Sequence, residues 1–327
     1  MKSCWIVTRD HTAVLEWREA PIPQAQAGDI VIRVRATAMN RGELVVGGAV
    51  HGGPEKIGGT EAAGEVHAVG AGVTAFRPGD RVCGRVRGGF AEYAAMFAHQ
   101  AMPVPPPLSW EQAAAIPVSF LTAYEMLYPP YGKLKAGEWL LVTGASAGAG
   151  VASIQTAKLL GAQTLGTSGS AEKLARLKAV GLDVAIATRS ADFAGQVMAA
   201  TGGKGADLIV NLVGGSVFAE CVSCLARRGR LAVVGYVDGV LKAEIDLAAV
   251  HANRYEIFGI SNAKLTAGER AHAVRGFVRD VLPAIADGRI TPLVDRVFAF
   301  DELPAARACM ESNAMVGKIV VRGRISE

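Results

Sequence analysis

The sequence predicts an α/β fold in which a β-rich region is followed by a doubly wound parallel sheet of six strands. Three observations carry this. Short alternating apolar runs separated by Gly and Pro fill the chain up to about residue 119, and a strand–turn–helix repeat occupies about 139 to 261. A glycine-rich turn, Gly144-Ala145-Ser146-Ala147-Gly148-Ala149-Gly150, stands at the first strand-to-helix junction of that repeat. At 327 residues the chain exceeds one ordinary domain, so two are expected: 1–119 together with 263–327, and 120–262.

In chain order, Ile30-Val31-Ile32-Arg33-Val34-Arg35 and Ala63-Gly64-Glu65-Val66-His67-Ala68-Val69 read as strands of a mainly antiparallel region. Pro78-Gly79-Asp80 makes a turn between two strands, because Pro presets one dihedral and Gly accepts the other. Ser109 with Gln112 three residues on is an N-cap signal, and Pro117 limits the first stretch of the helix that starts there. Strands of the repeat are expected at 139–143, 163–168, 183–187, 207–212, 230–235 and 255–260, with a first helix at 150–160 stopped by Gly161. The tail reads as a helix over 271–287 stopped by Gly288, a strand near 294–300, a helix near 303–311 and a strand at 318–322, elements that return to the first domain.

Composition narrows the function classes. Hydrophobic residues make up 50% of the chain and charged ones 20%, as in a well-packed globular protein. A net charge of +4 without any Lys/Arg block argues against nucleic acid as a partner. The start Met1-Lys2-Ser3-Cys4-Trp5 lacks the form of a signal peptide, and no apolar run reaches membrane-spanning length, so a cytoplasmic protein is expected. Five scattered cysteines do not suit a disulfide framework. Cys221 and Cys224 have the spacing of a redox or zinc pair, but they fall in a helical stretch with no second pair nearby and read as buried thiols.

The turn after 139–143 carries the chemistry. A loop this poor in side chains lets backbone approach a pyrophosphate, and the amides of the following helix add donors and partial positive charge. Ala147, Gly148 and Ala149 are therefore expected to contact a dinucleotide. One strand later, NAD enzymes usually carry an acid that holds the ribose hydroxyls. Here Gly166-Thr167-Ser168-Gly169-Ser170-Ala171 contains none, while Ser168 and Lys173 can donate to a 2′-phosphate, so NADPH is expected over NADH. A lysine that merely solvates a helix face is the plainer alternative for Lys173.

Asn40-Arg41-Gly42-Glu43-Leu44, Gly58-Gly59-Thr60-Glu61-Ala62-Ala63-Gly64, Pro78-Gly79-Asp80-Arg81-Val82, Gly88-Gly89-Phe90-Ala91-Glu92-Tyr93, Leu121-Thr122-Ala123-Tyr124, the phosphate turn and Val316-Gly317-Lys318-Ile319-Val320 follow one another along the chain. In that order and spacing they resemble the zinc-independent quinone oxidoreductases, zeta-crystallin-like members of the medium-chain dehydrogenase/reductase superfamily. The resemblance implies a GroES-like catalytic domain, a Rossmann cofactor domain and an active-site cleft between them. Where the superfamily's alcohol dehydrogenases hold zinc with Cys, His and Cys, the matching residues are Asn40, Thr60 and Val118, and valine cannot ligate at all. The four-cysteine structural lobe is missing as well, so no metal is expected.

Without a Lewis acid an alkoxide lacks stabilisation, whereas a quinone or enone accepts hydride at carbon and spreads charge onto a distant oxygen. The expected function is thus NADPH-dependent reduction of quinones or other α,β-unsaturated carbonyl compounds. Two alternatives stay open: an enoyl-thioester reductase, for which Arg85 and Arg87 on one loop are the only hint of a basic patch, and a non-catalytic NADPH-binding protein, like relatives that serve as lens crystallins or bind RNA. The resemblance places Asn40 at the nicotinamide side, with a loop-fixing role equally open, and Thr122 near the nicotinamide end. Val213, Gly235 and Tyr236 lie just beyond strand ends, where an open α/β sheet binds its ligand. Many relatives place a tyrosine after the third strand; here Ala187-Thr188-Arg189 stands there, and Arg189 either pairs with the 2′-phosphate or faces solvent. Residues 44–51 and Tyr128-Pro129-Pro130-Tyr131 are expected to shape the cleft mouth, and His51 and His99 are candidate proton donors without strong claim. A homodimer through edge pairing of 255–260 is implied, since an uncovered apolar edge strand is a liability.

Overall fold

The computed structural model describes all residues except 11, 44–54, 263 and 325–327. It divides into two compact units, one of Met1–Val118, Leu265–Ala286 and Pro292–Glu327, the other of Ser119–Lys264 and Asp287–Thr291. Residues 44–51, including His51, lie outside the described residues.

The first unit is built on a seven-stranded sheet running Val294–Phe298, Lys318–Arg322, Asp29–Ala38, Glu61–Val69, Arg81–Arg85 and Ala101–Pro103, with Tyr93–Phe97 also paired to Asp29–Ala38. A second sheet joins Thr12–Glu19, Lys2–Arg9 and Lys56–Ile57. Pairing is antiparallel except between Val294–Phe298 and Lys318–Arg322. Ile30, Ile32 and Val34 alternate inward and pack with Val66, Val82 and Met96 in one core. The registers decide where the polar residues gather. Thr37 faces Ala62 and Ala38 faces Val320, so the end of Asp29–Ala38 and the beginnings of Glu61–Val69 and Lys318–Arg322 meet at one end of the sheet.

The second unit is a six-stranded sheet with the order Val184–Ala187, Gln163–Ser168, Trp139–Thr143, Ala206–Asn211, Leu225–Val233 and Glu256–Gly259, all parallel. This is the doubly wound arrangement expected, with the strand order reversing between Trp139–Thr143 and Ala206–Asn211. Leu141, Leu165, Ile209 and Leu231 from its four inner strands share a core with Phe193, Val197, Cys221 and Cys224. Burial pushes both thiols up, that of Cys224 to about 12, which makes them inert packing groups.

Several local signals translate directly. Ser109 and Gln112 form a reciprocal capping box, and the helix it opens stops at Ala114 before a new one begins at Pro117. Other bounds differ. The tail helix begins at Ala267, capped by Thr266 with Glu269, and breaks after Asp280 into a short second helix, Leu282–Ala286, because Pro283 cannot continue the hydrogen-bond ladder. The strand expected at 230–235 spans Leu225–Val233, since its parallel pairing with Ala206–Asn211 starts earlier. The first helix of the repeat starts at Gly148 rather than 150, which matters for the site. Among the described residues no helix is long and apolar enough to cross a membrane.

Candidate active site

Two groups of functional side chains emerge, one in each unit. In the second unit, the turn after Trp139–Thr143 crosses to the neighbouring strand. Gly144 takes φ +65°, and its Cα hydrogen faces Val213, whose Cγ2 would lie 3.4 Å from any Cβ there. The Thr143 hydroxyl meets Asn211 Oδ1 at 3.1 Å and accepts from the Leu212 amide at 3.2 Å, which fixes the two strand ends to each other. The following helix, Gly148–Leu159, has Ala147 as its N-cap. Alanine has no side-chain oxygen to return to the first turn, so the amides of Gly148, Ala149 and Gly150 receive no side-chain cap. Gly150 is required by space: a Cβ there would fall 2.5 Å from the Ala145 carbonyl oxygen.

At the end of the next strand, Ser168 is buried and its hydroxyl accepts from the Ser170 amide at 3.3 Å. The Thr188 amide donates to the Ser168 carbonyl at 3.0 Å, which brings the two neighbouring strand ends together. Arg189 is exposed and its side chain lies across Gly169; a Cβ at 169 would stand 2.5 Å from Nε. Arg189 thus lies against the residue that follows Ser168, over a position that carries no Cβ. Lys173 is half-buried in the first turn of Ala171–Lys178, its amide donating to the Ser170 cap at 3.3 Å. Gly235 approaches Leu212, with 3.0 Å between a Cβ there and the Leu212 carbonyl oxygen, so Gly144, Val213 and Gly235 border one place while Tyr236 stands exposed beside it. The Thr122 hydroxyl, on the buried side of its helix, accepts from Asn262 Nδ2 at 2.9 Å, which leaves its own hydrogen for another acceptor. Tyr128 stacks on Tyr124 and Tyr131 on Phe258.

The first unit holds a buried polar network around Asn40. Its amide Nδ2 donates to Glu43 Oε1 at 2.9 Å and to Glu61 Oε1 at 2.8 Å, while Oδ1 accepts from Lys318 Nζ at 2.7 Å. Lys318 also donates to the Met39 carbonyl at 2.9 Å and pairs with Glu61 at 2.8 Å. The Thr60 hydroxyl lies 2.7 Å from Glu43 Oε1; the Gly59 amide donates to Glu43 at 3.1 Å and the Val118 amide to Glu61 at 2.7 Å. Glu61 is completely buried, Glu43 is 4% exposed and Lys318 6%. Burial, reinforced by the Glu61 charge, raises the Glu43 carboxyl above its usual value despite hydrogen bonds from Thr60 and Asn40 that oppose the shift.

Sequence reasoning named Asn40 and missed Glu43, Glu61 and Lys318 as site residues. The signal was visible in charged residues set among Gly and Ala in Gly58-Gly59-Thr60-Glu61-Ala62-Ala63-Gly64 and among Val and Ile in Val316-Gly317-Lys318-Ile319-Val320. The three residues that stand where alcohol dehydrogenases carry zinc ligands do not fit that metal: an amide and a hydroxyl already hydrogen-bonded to carboxylates, and a valine. Arg87 lies beyond the strand Arg81–Arg85 that contains Arg85, pairs with Asp29 and covers the Phe97 ring at 4.4 Å, so the two arginines do not share one loop. His99 stacks on Phe97 and contacts Gln100; burial and the nearby Arg270 and Arg275 lower its pKa.

Comparison with known proteins agrees with this arrangement. The description "Alcohol dehydrogenase GroES-like domain" matches residues 26–106, and "Zinc-binding dehydrogenase" matches 148–275. Erythronolide synthase EryA2 of Saccharopolyspora erythraea is 33% identical over 299 residues, 90% of this chain, and the chain spans only 8% of that protein's length. A mycobacterial protein solved with NADPH superposes with a TM-score of 0.89 at 28% identity, covering 98% of this chain and all of the other. Escherichia coli quinone oxidoreductase, also solved with NADPH, gives 0.87 at 26% identity with 98% and 100% covered.

Proposed function

The chain belongs to the medium-chain dehydrogenase/reductase superfamily, and on that premise we propose that it reduces quinones or other α,β-unsaturated carbonyl compounds with NADPH, by direct hydride transfer without a metal. The observation that carries the proposal is the uncapped helix start at the strand-order reversal, with Ser168 one strand further out and Arg189 against the residue that follows it. When bound, NADPH supplies the hydride. The amides of Gly148, Ala149 and Gly150 hold its pyrophosphate, and Ser168 and Arg189 receive the 2′-phosphate, at a strand end that carries no acid. Lys173 adds positive charge nearby. Val213, Gly235 and Tyr236 border the remainder of the cofactor, and the Thr122 hydroxyl, oriented by Asn262, serves the nicotinamide end. A conjugated acceptor is favoured because the residues at the zinc positions cannot supply a Lewis acid.

A second reading narrows the acceptor to an enoyl thioester, and the similarity to a segment of erythronolide synthase favours it. The oligomer we propose is a homodimer joined through Glu256–Gly259, whose outer edge is unpaired among the described residues; the same unit also exposes the apolar side chains Val237, Leu241 and Leu247. An NADPH-oxidation screen with a quinone, a short enone, an enal and an enoyl thioester tests the function. Turnover of the quinone or enone is expected; turnover of the thioester alone selects the second reading, and NADPH binding without any turnover selects a non-catalytic role.

A further inference from the structure

The network around Asn40 contains more acid than base. Two carboxyl groups and one ammonium are buried together, and the ammonium has a fixed allegiance. An ammonium has three hydrogens, and those of Lys318 go to the Met39 carbonyl, Asn40 Oδ1 and Glu61 Oε1. None is left for Glu43. Its partners among the described residues are neutral: the Asn40 amide, the Gly59 amide and the Thr60 hydroxyl. A second buried carboxylate beside Glu61, without its own cation, is the arrangement in which one of two acids retains a proton.

Where that proton sits follows from the hydrogen-bond geometry. Asn40 and Gly59 can only donate to Glu43; the Thr60 hydroxyl donates to ionised Oε1 at 2.7 Å, but of the three it is the partner that can turn about and accept once the carboxyl carries a proton. In that protonated form the Thr60 oxygen accepts from Glu43, and its own hydrogen is released to an acceptor outside the network. Thr60 and Asn40 are also its half-buried members, while Glu43, Glu61 and Lys318 are enclosed. Asn40 has both hydrogens committed to carboxylates, so among the described residues Thr60 is the remaining outlet for a proton.

We propose that Glu43 and Thr60 form the proton-delivery pair of the enzyme, with Thr60 as the catalytic donor to the reduced acceptor and Glu43 as the buried acid that recharges it. The proposal rests on the reading of the protein as a conjugated-carbonyl reductase. In that reaction the hydride forms a new C–H bond at the β-carbon and leaves an enolate. The enolate oxygen takes the Thr60 proton as the Thr60 oxygen takes the Glu43 proton, so one O–H bond forms on the product, the Thr60 O–H is renewed and the Glu43 O–H breaks. The resulting Glu43 carboxylate is reprotonated through Thr60 by a solvent water, which is left as hydroxide. No further oxidant or reductant enters. Glu61 and Lys318 are positioning residues: they neutralise each other and clamp Asn40, whose amide then fixes Glu43.

The test uses Glu43→Gln, which keeps the shape and one carbonyl acceptor but removes the acid, with Thr60→Val and Thr60→Ser beside it. For an acceptor turned over by the wild type, kcat is expected to fall about 100-fold in Glu43→Gln and Thr60→Val. KM and the NADPH dissociation constant, read by fluorescence titration, are expected to stay within about twofold, and Thr60→Ser to retain most of the rate. A second readout needs no turnover. An acid whose folded pKa lies above its unfolded value of 4.5 makes the folded state bind more protons, so wild-type stability drops as pH rises from there through the raised value. Among the described residues Glu61 and Lys318 are the charged groups facing Glu43, and both remain in the variant, so the difference in Tm between Glu43→Gln and wild type is expected to grow in favour of the variant over that range. A difference that stays constant with pH overturns the buried proton, and an unchanged kcat in Glu43→Gln overturns its delivery. Absence of turnover in the wild type defeats the function reading instead, and leaves the stability readout to judge Glu43 by itself.

Discussion

Asn40 has two amide hydrogens and a carbonyl oxygen, and Glu43, Glu61 and Lys318 occupy all of them. That single residue explains why a reading of side chains at the zinc positions was within reach of sequence while their surroundings were not. Which residue types can ligate is a local chemical fact. The partners of Asn40 are separated from it by up to 278 positions, and only the strand register brings them together. At Ser168 the local chemistry was again legible, because the absence of an acid is written in the chain. Its consequence is testable: Ser168→Asp is expected to weaken NADPH binding at least about tenfold and to close or reverse the gap to NADH. Arg189→Ala is expected to weaken NADPH by about tenfold and leave NADH unchanged, measured by titration of the two cofactors. Equal losses for both cofactors would remove Arg189 from the 2′-phosphate.

Elements with a strong repeat were read closely from sequence. Trp139–Thr143, Gln163–Ser168, Leu303–Glu311 and Lys318–Arg322 begin and end where periodicity and breakers place them. The errors fell where a weak local signal decided the boundary. The Thr266 and Glu269 capping box starts its helix four residues before the expected 271, and an alanine N-cap gives no side-chain sign of the start at Gly148. Two substitutions test what holds the elements in place. Gly150→Ala drives a methyl group into the Ala145 carbonyl, so it is expected to cost about 2 kcal/mol and to weaken NADPH binding as the turn opens. Arg230, 7% exposed, joins Leu225–Val233 to the 132–138 segment through the Gly132 and Lys133 carbonyls and the Glu138 carboxylate, and to the neighbouring strand through the Asp207 carbonyl. Arg230→Met is expected to cost about 3 kcal/mol in denaturant unfolding, because it leaves Glu138 without its buried partner.

At the scale of the molecule, the parallel sheet ends in an edge strand, Glu256–Gly259, and the same unit exposes apolar side chains such as Leu241 at 74% and Ile257 on the strand itself. A wild-type dimer in light scattering, converted to a monomer by Leu241→Lys with Ile257→Lys, is the expected outcome; a wild-type monomer at micromolar concentration would exclude the interface. The central claim joins the cofactor cradle of one unit to metal-free reduction of a conjugated acceptor. It is tested most directly by following deuterium from the C4 position of labelled NADPH in chelator-treated protein supplied with an enone. The account predicts deuterium on the β-carbon of the product at an undiminished rate. Product without the label, or a rate lost on chelation and restored by zinc, would contradict it.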